Sequence, residues 1–140
     1  MTDNILTGQL GESICSVKLL KMDIPCTLVH LQKTDILALK DGKPLRIQVK
    51  SSRMKRAYER KGREYFSYHF SIASGGRPKQ PLTKEVCDIV ALVAIDRERV
   101  IFKKVEELDG KLTKHITPDD FFIGCDLFSW KKCFDRDETL

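Results

Sequence analysis

Residues 34–52 read TDILALKDGKPLRIQVKSS, and this stretch decides the fold because it contains a turn that sets a strand register. Asp41-Gly42 lies between two runs rich in apolar residues, which is a strong signal for a two-residue β-hairpin. If these two residues form the turn, Lys40 faces Lys43 and every pair further along the two strands is fixed. The stretch therefore predicts an antiparallel pair of strands in a defined register.

In that register one face of the hairpin is polar and the other is apolar. Asp35 faces Gln48, and Lys50 is a diagonal neighbour on the same face. The opposite face is suited to a hydrophobic core and carries Ile36, Ala38, Leu45, Ile47 and Val49. A carboxylate binds a hard cation through oxygen, and an ammonium group can position water and offset phosphate charge. The geometry predicts either metal-assisted hydrolysis or an exposed cross-strand ion pair.

A helix is predicted before the hairpin, from about Gly8 to Lys21, with Thr7 as its N-cap. Apolar residues on two of its sides indicate that it is largely buried. Glu12 is its one carboxylate and needs a partner in such surroundings. If the helix packs on the polar face of the hairpin, Glu12 supplies a second carboxylate there.

The rest of the chain alternates between strand-like runs and turns. Residues 88–95 are almost wholly apolar, which is typical of a strand buried on both faces, and residues 99–105 are expected at an edge. Thr117-Pro118 indicates a helix start in the tail. The other strands are predicted at 26–31, 34–40, 44–51 and 66–73. We expect one α/β (α+β) domain over residues 1–140, with a mixed central β-sheet flanked by helices.

Composition limits the classes of protein to consider. The 140 residues are 41% apolar and 32% charged, which suits one folded domain. No apolar run is long enough for a transmembrane helix, and the first residues lack a secretory signal, so a cytoplasmic protein is expected. The five cysteines have irregular spacing and no CxxC pair, which favours small buried residues over a zinc site.

The net charge is +5, and the basic residues are concentrated. Residues 46–63 contain eight basic side chains and the single carboxylate of Glu59, interleaved with aromatic residues. Such a stretch is either a solvated segment or a surface for a polyanion, and we favour nucleic-acid contact. The candidate DNA-binding residues are Ser51, Ser52, Arg53, Lys55, Arg56, Arg60, Lys61, Arg63, His69, Arg77 and Lys79. His30, in an apolar run, is interpreted as a core histidine, and Asp88 as a site residue or a strand start.

Three segments together resemble the PD-(D/E)XK endonuclease superfamily: Gly11-Glu12, then residues 34–38 (TDILA), then residues 47–52 (IQVKSS). The chain is most similar to the Gln-x-Lys subgroup, which is typified by a cyanobacterial group I intron homing endonuclease. That subgroup also has a Thr-Lys-Glu-x-x-Asp stretch before a buried strand, matched here by residues 83–88. The similarity covers about residues 8–105 and leaves 106–140 as a C-terminal extension.

The resemblance implies a restriction-endonuclease-like core and assigns roles to residues. Asp35 would be the principal metal-binding carboxylate, with the Val49 backbone carbonyl as a further ligand and Glu12 as a direct or water-mediated ligand. Lys50 would position or activate the attacking water. Gln48 replaces an acidic residue, which removes one negative charge and puts a full two-metal site in doubt. Mg²⁺ is the expected cofactor because the donors are oxygens, and Mn²⁺ should substitute for it.

The function indicated first is a Mg²⁺-dependent, homing-type endonuclease acting on duplex DNA. A Holliday-junction resolvase of the same superfamily, acting on branched DNA, is the second possibility. A third is a non-catalytic DNA-binding module, and a fourth is an unrelated α/β protein with a surface ion pair. Paired cuts would require a homodimer or a higher symmetric homo-oligomer.

Overall fold

The fold is built around a five-stranded mixed sheet. The computed structural model describes residues 2–31, 34–74, 78–108 and 110–134. Within them the helices and strands are α1 (Thr2–Lys21), β1 (Cys26–Leu31), β2 (Thr34–Lys40), β3 (Lys43–Ser52), β4 (Arg56–Arg60), β5 (Arg63–Ser71), β6 (Ala73–Ser74), β7 (Gln80–Pro81), β8 (Ile89–Ala94), β9 (Arg99–Lys104), β10 (Thr113–Ile116) and α2 (Cys125–Phe134).

The strand order in the central sheet is β1-β2-β3-β8-β9. β3 and β8 are parallel, and the other neighbours are antiparallel. Every residue of β8 is buried, since the strand has neighbours on both sides and layers on both faces. β9 lies at the edge of the order. The predicted mixed sheet, its buried strand and its edge strand are all confirmed.

The β2–β3 hairpin has the predicted register. Lys40 pairs with Lys43, and the pairing continues to Ile36 and Ile47. Asp41 and Gly42 both have positive φ, 53° and 76°, as a two-residue turn of this kind requires. The turn therefore sets the register from its own backbone geometry, and β3 begins one residue earlier and ends one residue later than the sequence indicates.

The two faces of the sheet bury two separate cores. Cys15 and Leu19 of α1 pack on the apolar face of the hairpin. The other core lies between the opposite face of β8 and the buried side of β5. Because Gln48 pairs with Val90 and Lys50 with Leu92, the polar face of the hairpin is the face that β5 covers. The sequence predicts Glu12 on the polar face of the hairpin if α1 packs there. That arrangement is wrong, because the apolar side chains of α1 are buried against the apolar face.

Helix α1 differs from the prediction at its start and in its burial. It begins at Thr2, so Thr7 lies inside the helix and is not its N-cap. The Thr7 hydroxyl accepts a hydrogen bond from Arg53 instead. Leu10 and Val17 are 43% and 49% exposed, so only one side of the helix is buried. The expectation of a largely buried helix is therefore wrong.

The C-terminal part of the chain packs on β9 and contributes to both cores, with Trp130 in the core beneath α1 and Phe121 in the other. Thr117-Pro118 opens only a short 3₁₀ turn, Pro118–Asp120, and the helix of this region is α2. α2 packs on β9, where Trp130 contacts Phe102 edge to face. The five cysteines are free, and four of them are buried as the sequence indicates, whereas Cys26 is only partly buried. Among the described residues no helix is long and apolar enough to cross a membrane.

Candidate active site

Asp35 lies near the start of β2, and β3 holds its carboxylate. The Val49 backbone N–H donates a hydrogen bond of 2.8 Å to Asp35 Oδ2. Burial raises the pKa of Asp35, whereas the Val49 hydrogen bond and the charges of Lys50 and His30 act in the opposite direction. The predicted hairpin therefore places a half-buried carboxylate where it interacts with the Lys50 ammonium.

Lys50 lies on the covered face of β3, and its ammonium group is held in place. Nζ donates a hydrogen bond of 3.2 Å to the carbonyl of Ala73. Burial lowers the pKa of Lys50, and the Asp35 carboxylate counteracts this effect. No Asp or Glu side chain forms an ion pair with Lys50 within the described ranges. Its charge is therefore available to an anion that enters beside Asp35.

Glu12 approaches the same carboxylate from α1. Gly11 allows this approach, because a Cβ at that position would overlap the Ser51 hydroxyl on β3. Burial and the negative charge of Asp35 raise the pKa of Glu12, and His30 lowers it. The two carboxylates are thus close enough to repel each other, although α1 and Lys50 lie on opposite faces of the sheet.

His30 is a member of this cluster that sequence reasoning missed. Its side chain is 65% exposed, and Nδ1 lies 3.5 Å from Glu12 Oε1, so the interpretation as a core histidine is wrong. The β1–β2 register shifts between Leu28 and Leu31, and His30 has a φ of 50°. A bulge of this kind redirects a side chain without leaving a signal in the apolar pattern.

The oxygen atoms near Asp35 fit a hard cation better than a soft one. Gln48 Oε1 is buried and has no hydrogen-bond partner among the described residues. An unpaired buried oxygen is costly unless a ligand or water satisfies it. Within the described parts of the chain no three His, Cys, Asp or Glu side chains form a group that could hold a metal. A cation here would need amide and backbone oxygens in addition to the carboxylates.

Asp88 has a structural role. Its Oδ2 accepts hydrogen bonds from the backbone N–H and Nε of Arg46, at 2.8 and 3.2 Å, and Oδ1 pairs with the same guanidinium. Arg46 also donates to the carbonyls of Lys84 and Glu85. The strand-start interpretation of Asp88 is therefore correct, and this clamp fixes the turn before β8 against β3.

The basic stretch forms a second hairpin and not a loop. β4 pairs with β5 from Arg56–Ser67 to Arg60–Arg63, and Lys61-Gly62 is its turn with positive φ at both residues. We call residues 55–66 the basic hairpin. Every residue of β4 is exposed. The hairpin carries two carboxylates and five cations, namely Lys55, Arg56, Arg60, Lys61 and Arg63.

The remaining candidate DNA-binding residues lie in three places. Ser51, Ser52 and Arg53 stand at the end of β3, where the Ser52 hydroxyl donates to the Met54 carbonyl. His69 on β5 stacks on His115, with ring centroids 4.0 Å apart. Lys79 is exposed and its charge lowers the pKa of Lys50, after the larger effect of burial. Arg77, like the predicted break at Gly75-Gly76, lies outside the described residues.

One solved structure has this fold over nearly its whole length. The chain is similar to that of a bacterial homing endonuclease, I-Ssp6803I, with a TM-score of 0.66 over 91% of this chain and 93% of that one. The sequence identity is 16%, so the likeness concerns the fold alone. No protein-family model and no curated protein matches the sequence. The chain thus has a homing-endonuclease-like fold with a mixed central sheet, and the cluster around Asp35 is its candidate active site.

Proposed function

We propose that this protein is a Mg²⁺-dependent DNA endonuclease that hydrolyses phosphodiester bonds in duplex DNA, in the manner of a homing enzyme. The observation that carries the proposal is the interaction of Glu12, Asp35 and Lys50 within a fold shared with a homing endonuclease. Hydrolysis of a phosphodiester requires a positioned water and cations beside the phosphate. Two carboxylates and a partly buried ammonium group meet both needs.

The donor set supports a hard divalent cation. Asp35, Glu12 and the Val49 carbonyl would hold Mg²⁺, and the unpaired Gln48 Oε1 offers a further oxygen. When bound, the ion would supply Lewis-acid stabilisation of the negative charge that develops on the phosphate. Its charge would also relieve the repulsion by Asp35, which after the larger effect of burial raises the pKa of Glu12. Mn²⁺ prefers the same ligands and should substitute.

Lys50 would act on the water or on the phosphate. Its ammonium group is oriented by the Ala73 carbonyl and remains close to Asp35. A cation fixed in partly buried surroundings stabilises a developing oxyanion more strongly than one in bulk water. The lowered pKa of Lys50 also makes its neutral form more accessible, so that it could accept a proton from the attacking water.

The basic hairpin would supply most of the backbone contacts. Its exposed cations follow the end of β3 along the chain, and β3 also carries Lys50, so they would hold a duplex near that strand. Lys55 lies 4.9 Å from the centre of the Phe66 ring, which leaves its ammonium group at the surface. A homodimer or a higher symmetric assembly would place a second site on the opposite strand.

A second candidate function is a DNA-binding module without catalysis. The observation that favours it is that, among the described residues, no three His, Cys, Asp or Glu side chains form a group that could hold a metal ion, although His30 lies beside Glu12. A weak cation site would leave the fold and the basic hairpin intact. Such a protein would bind DNA in a salt-sensitive manner and would not cut it with any divalent ion.

The experiment that separates these functions offers three substrates with Mg²⁺ or Mn²⁺: a duplex library, a plasmid and a synthetic four-way junction. Cutting of particular duplexes, with the junction left whole, supports the proposal. Paired nicks confined to the junction would instead make the protein a resolvase. Binding of all three substrates without cleavage would identify the non-catalytic module, and absence of binding at low salt would refute a DNA function.

A further inference from the structure

A second polar feature lies just beyond Lys50, at the C-terminal end of β3. A pocket of about 280 Å³ opens between the start of α1, the end of β3 and β5. No acidic residue lines it. The side chains that matter to the argument are Thr7, Ser51, Arg53, Arg56 and His69. A concave site with two guanidinium groups and no carboxylate favours an anion over any other ligand.

Two polar atoms in the lining have no hydrogen-bond partner among the described residues. They are the Ser51 hydroxyl and Nε2 of His69, and both are buried. A buried polar atom without a partner costs free energy unless a ligand or water satisfies it. Both groups can donate to an acceptor oxygen. The pocket therefore offers donors that the protein itself leaves unused.

The cations of the pocket are also available. Nε of Arg53 donates a hydrogen bond of 2.6 Å to the Thr7 hydroxyl, which holds the guanidinium beside α1. The other guanidinium N–H groups can still donate to an anion in the pocket. No Asp or Glu pairs with Arg53 or Arg56 within the described ranges. Burial lowers the pKa of His69, with further contributions from His115 and Arg56. An anion between these groups would offset the repulsion among them.

We infer that this pocket binds a phosphate group, and specifically a backbone phosphate of the DNA strand that the proposed endonuclease cuts. The inference rests on the proposed function for the source of the phosphate. Ser52 is two residues beyond Lys50, which is about 7 Å along a β-strand. Successive phosphates of a DNA strand rise by about 3.4 Å along the duplex axis and also wind around it, so neighbouring phosphates are farther apart than this rise. The pocket would thus hold a phosphate next to or close to the scissile one on the same strand.

The role of the pocket would be to fix the strand in register with the active site. The cations of the basic hairpin that lie outside the pocket are exposed to solvent, so they attract DNA without fixing its position. A pocket with directed donors holds one phosphate in one place. Since misplacement by about 1 Å can cost about a hundredfold in rate, such a contact determines which bond lies beside Asp35 and Lys50.

The test is an NMR titration of the ¹⁵N-labelled full chain, first with inorganic phosphate and then with a short DNA duplex. We expect phosphate to shift the backbone amides of residues 51–56 and the His69 imidazole signals. Arg56→Ala should weaken phosphate binding about tenfold or more, because it removes a charged donor. Lys43→Ala removes the same charge from an exposed position at the other end of β3 and should leave the phosphate affinity unchanged.

The titration with the duplex distinguishes a site for a DNA backbone phosphate from a site for free phosphate. Displacement of inorganic phosphate by the duplex, with the same signals shifted, supports the inference. Shifts elsewhere, or equal losses of affinity in both variants, would overturn it. If the duplex binds without displacing phosphate, the inference fails while the proposed function stands. If phosphate binds and the duplex does not bind at all, the proposed function fails and the pocket is a site for free phosphate.

Discussion

Replacement of Asp35 separates catalysis from stability, because its carboxylate has two independent functions in the structure. It accepts a hydrogen bond from the Val49 backbone N–H, with 2.8 Å between N and Oδ2, and it carries a negative charge beside Glu12. Asp35→Asn removes the charge and keeps an acceptor oxygen. Asp35→Ala removes both. We expect both variants to lose DNA cleavage, since neither can hold a divalent cation as a carboxylate does.

The stabilities of the two variants should differ by a predictable amount. In Asp35→Ala the Val49 N–H has lost its acceptor, and an unsatisfied buried donor costs about 1–3 kcal/mol. Near this chain length 1 kcal/mol changes the melting temperature by about 3 °C, so Asp35→Asn should melt about 3–9 °C above Asp35→Ala. At neutral pH Asp35→Asn should also be more stable than the wild type, because it no longer buries a charge.

The pH dependence of that advantage follows from the direction of the pKa shift. Burial raises the pKa of Asp35 above its ordinary value of 3.8, so the folded protein binds a proton more tightly than the unfolded chain does. The charged carboxylate therefore costs stability above its folded pKa. This cost is relieved as the pH falls through the folded pKa towards 3.8. The advantage of Asp35→Asn should be full at neutral pH and disappear below about pH 3.8.

Urea unfolding of the three proteins between pH 3 and pH 8 measures these differences, and a single-turnover cleavage assay measures activity. Equal stability of Asp35→Asn and Asp35→Ala would refute the importance of the Val49 hydrogen bond. An Asp35→Asn protein that still cleaves DNA would refute the catalytic role of the carboxylate. If Asp35→Asn were more stable than the wild type by the same amount at every pH, the charge of Asp35 would not be what destabilises the wild type.

Three further changes test the rest of the account. Lys50→Ala should abolish cleavage and leave the fold and most DNA binding intact, as circular dichroism and gel shifts would show; loss of folding would make Lys50 structural. Replacing Arg53, Lys55 and Arg56 together with Ala should weaken binding to all DNA sequences and reduce the slope of log affinity against log salt by up to about 3, and unchanged affinity would place the DNA surface elsewhere. Asp88→Ala should lower the free energy of unfolding by about 1–3 kcal/mol in urea unfolding, since it removes the carboxylate that accepts hydrogen bonds from the backbone N–H and the guanidinium of Arg46, and an unchanged midpoint would show that the clamp is not needed.

The hairpin and its polar face could be predicted because a local signal determines them. Asp41-Gly42 sets the turn, the turn sets the register, and the register places Asp35 and Lys50 on one face. The buried strand β8 and the edge strand β9 follow equally from their apolar patterns. The resemblance to a nuclease superfamily drew attention to Glu12, which periodicity alone shows only as an unpartnered carboxylate.

The errors arise where tertiary contacts override local pattern. Thr7 has the chemistry of an N-cap, but the preceding residues extend the helix, and Arg53 binds its hydroxyl. His30 leaves the apolar pattern at a bulge that no residue type announces. The second hairpin could have been found from Gly62, which lies between a run containing Tyr58 and a run with alternating aromatic residues, yet its high charge resembles that of a loop. The face of the sheet on which α1 packs depends on contacts with the whole sheet. The sequence of the helix alone therefore does not predict it.

The measurement that tests the central claim most directly is single-turnover cleavage of a duplex library by the wild type and by Asp35→Asn. Both proteins are assayed with Mg²⁺ and again with the divalent ion chelated, and DNA binding is measured in parallel. The account predicts cleavage by the wild type only when Mg²⁺ is present, no cleavage by Asp35→Asn, and retained DNA binding by both. Equal cleavage by the two proteins, or wild-type cleavage that persists without divalent ions, would contradict it.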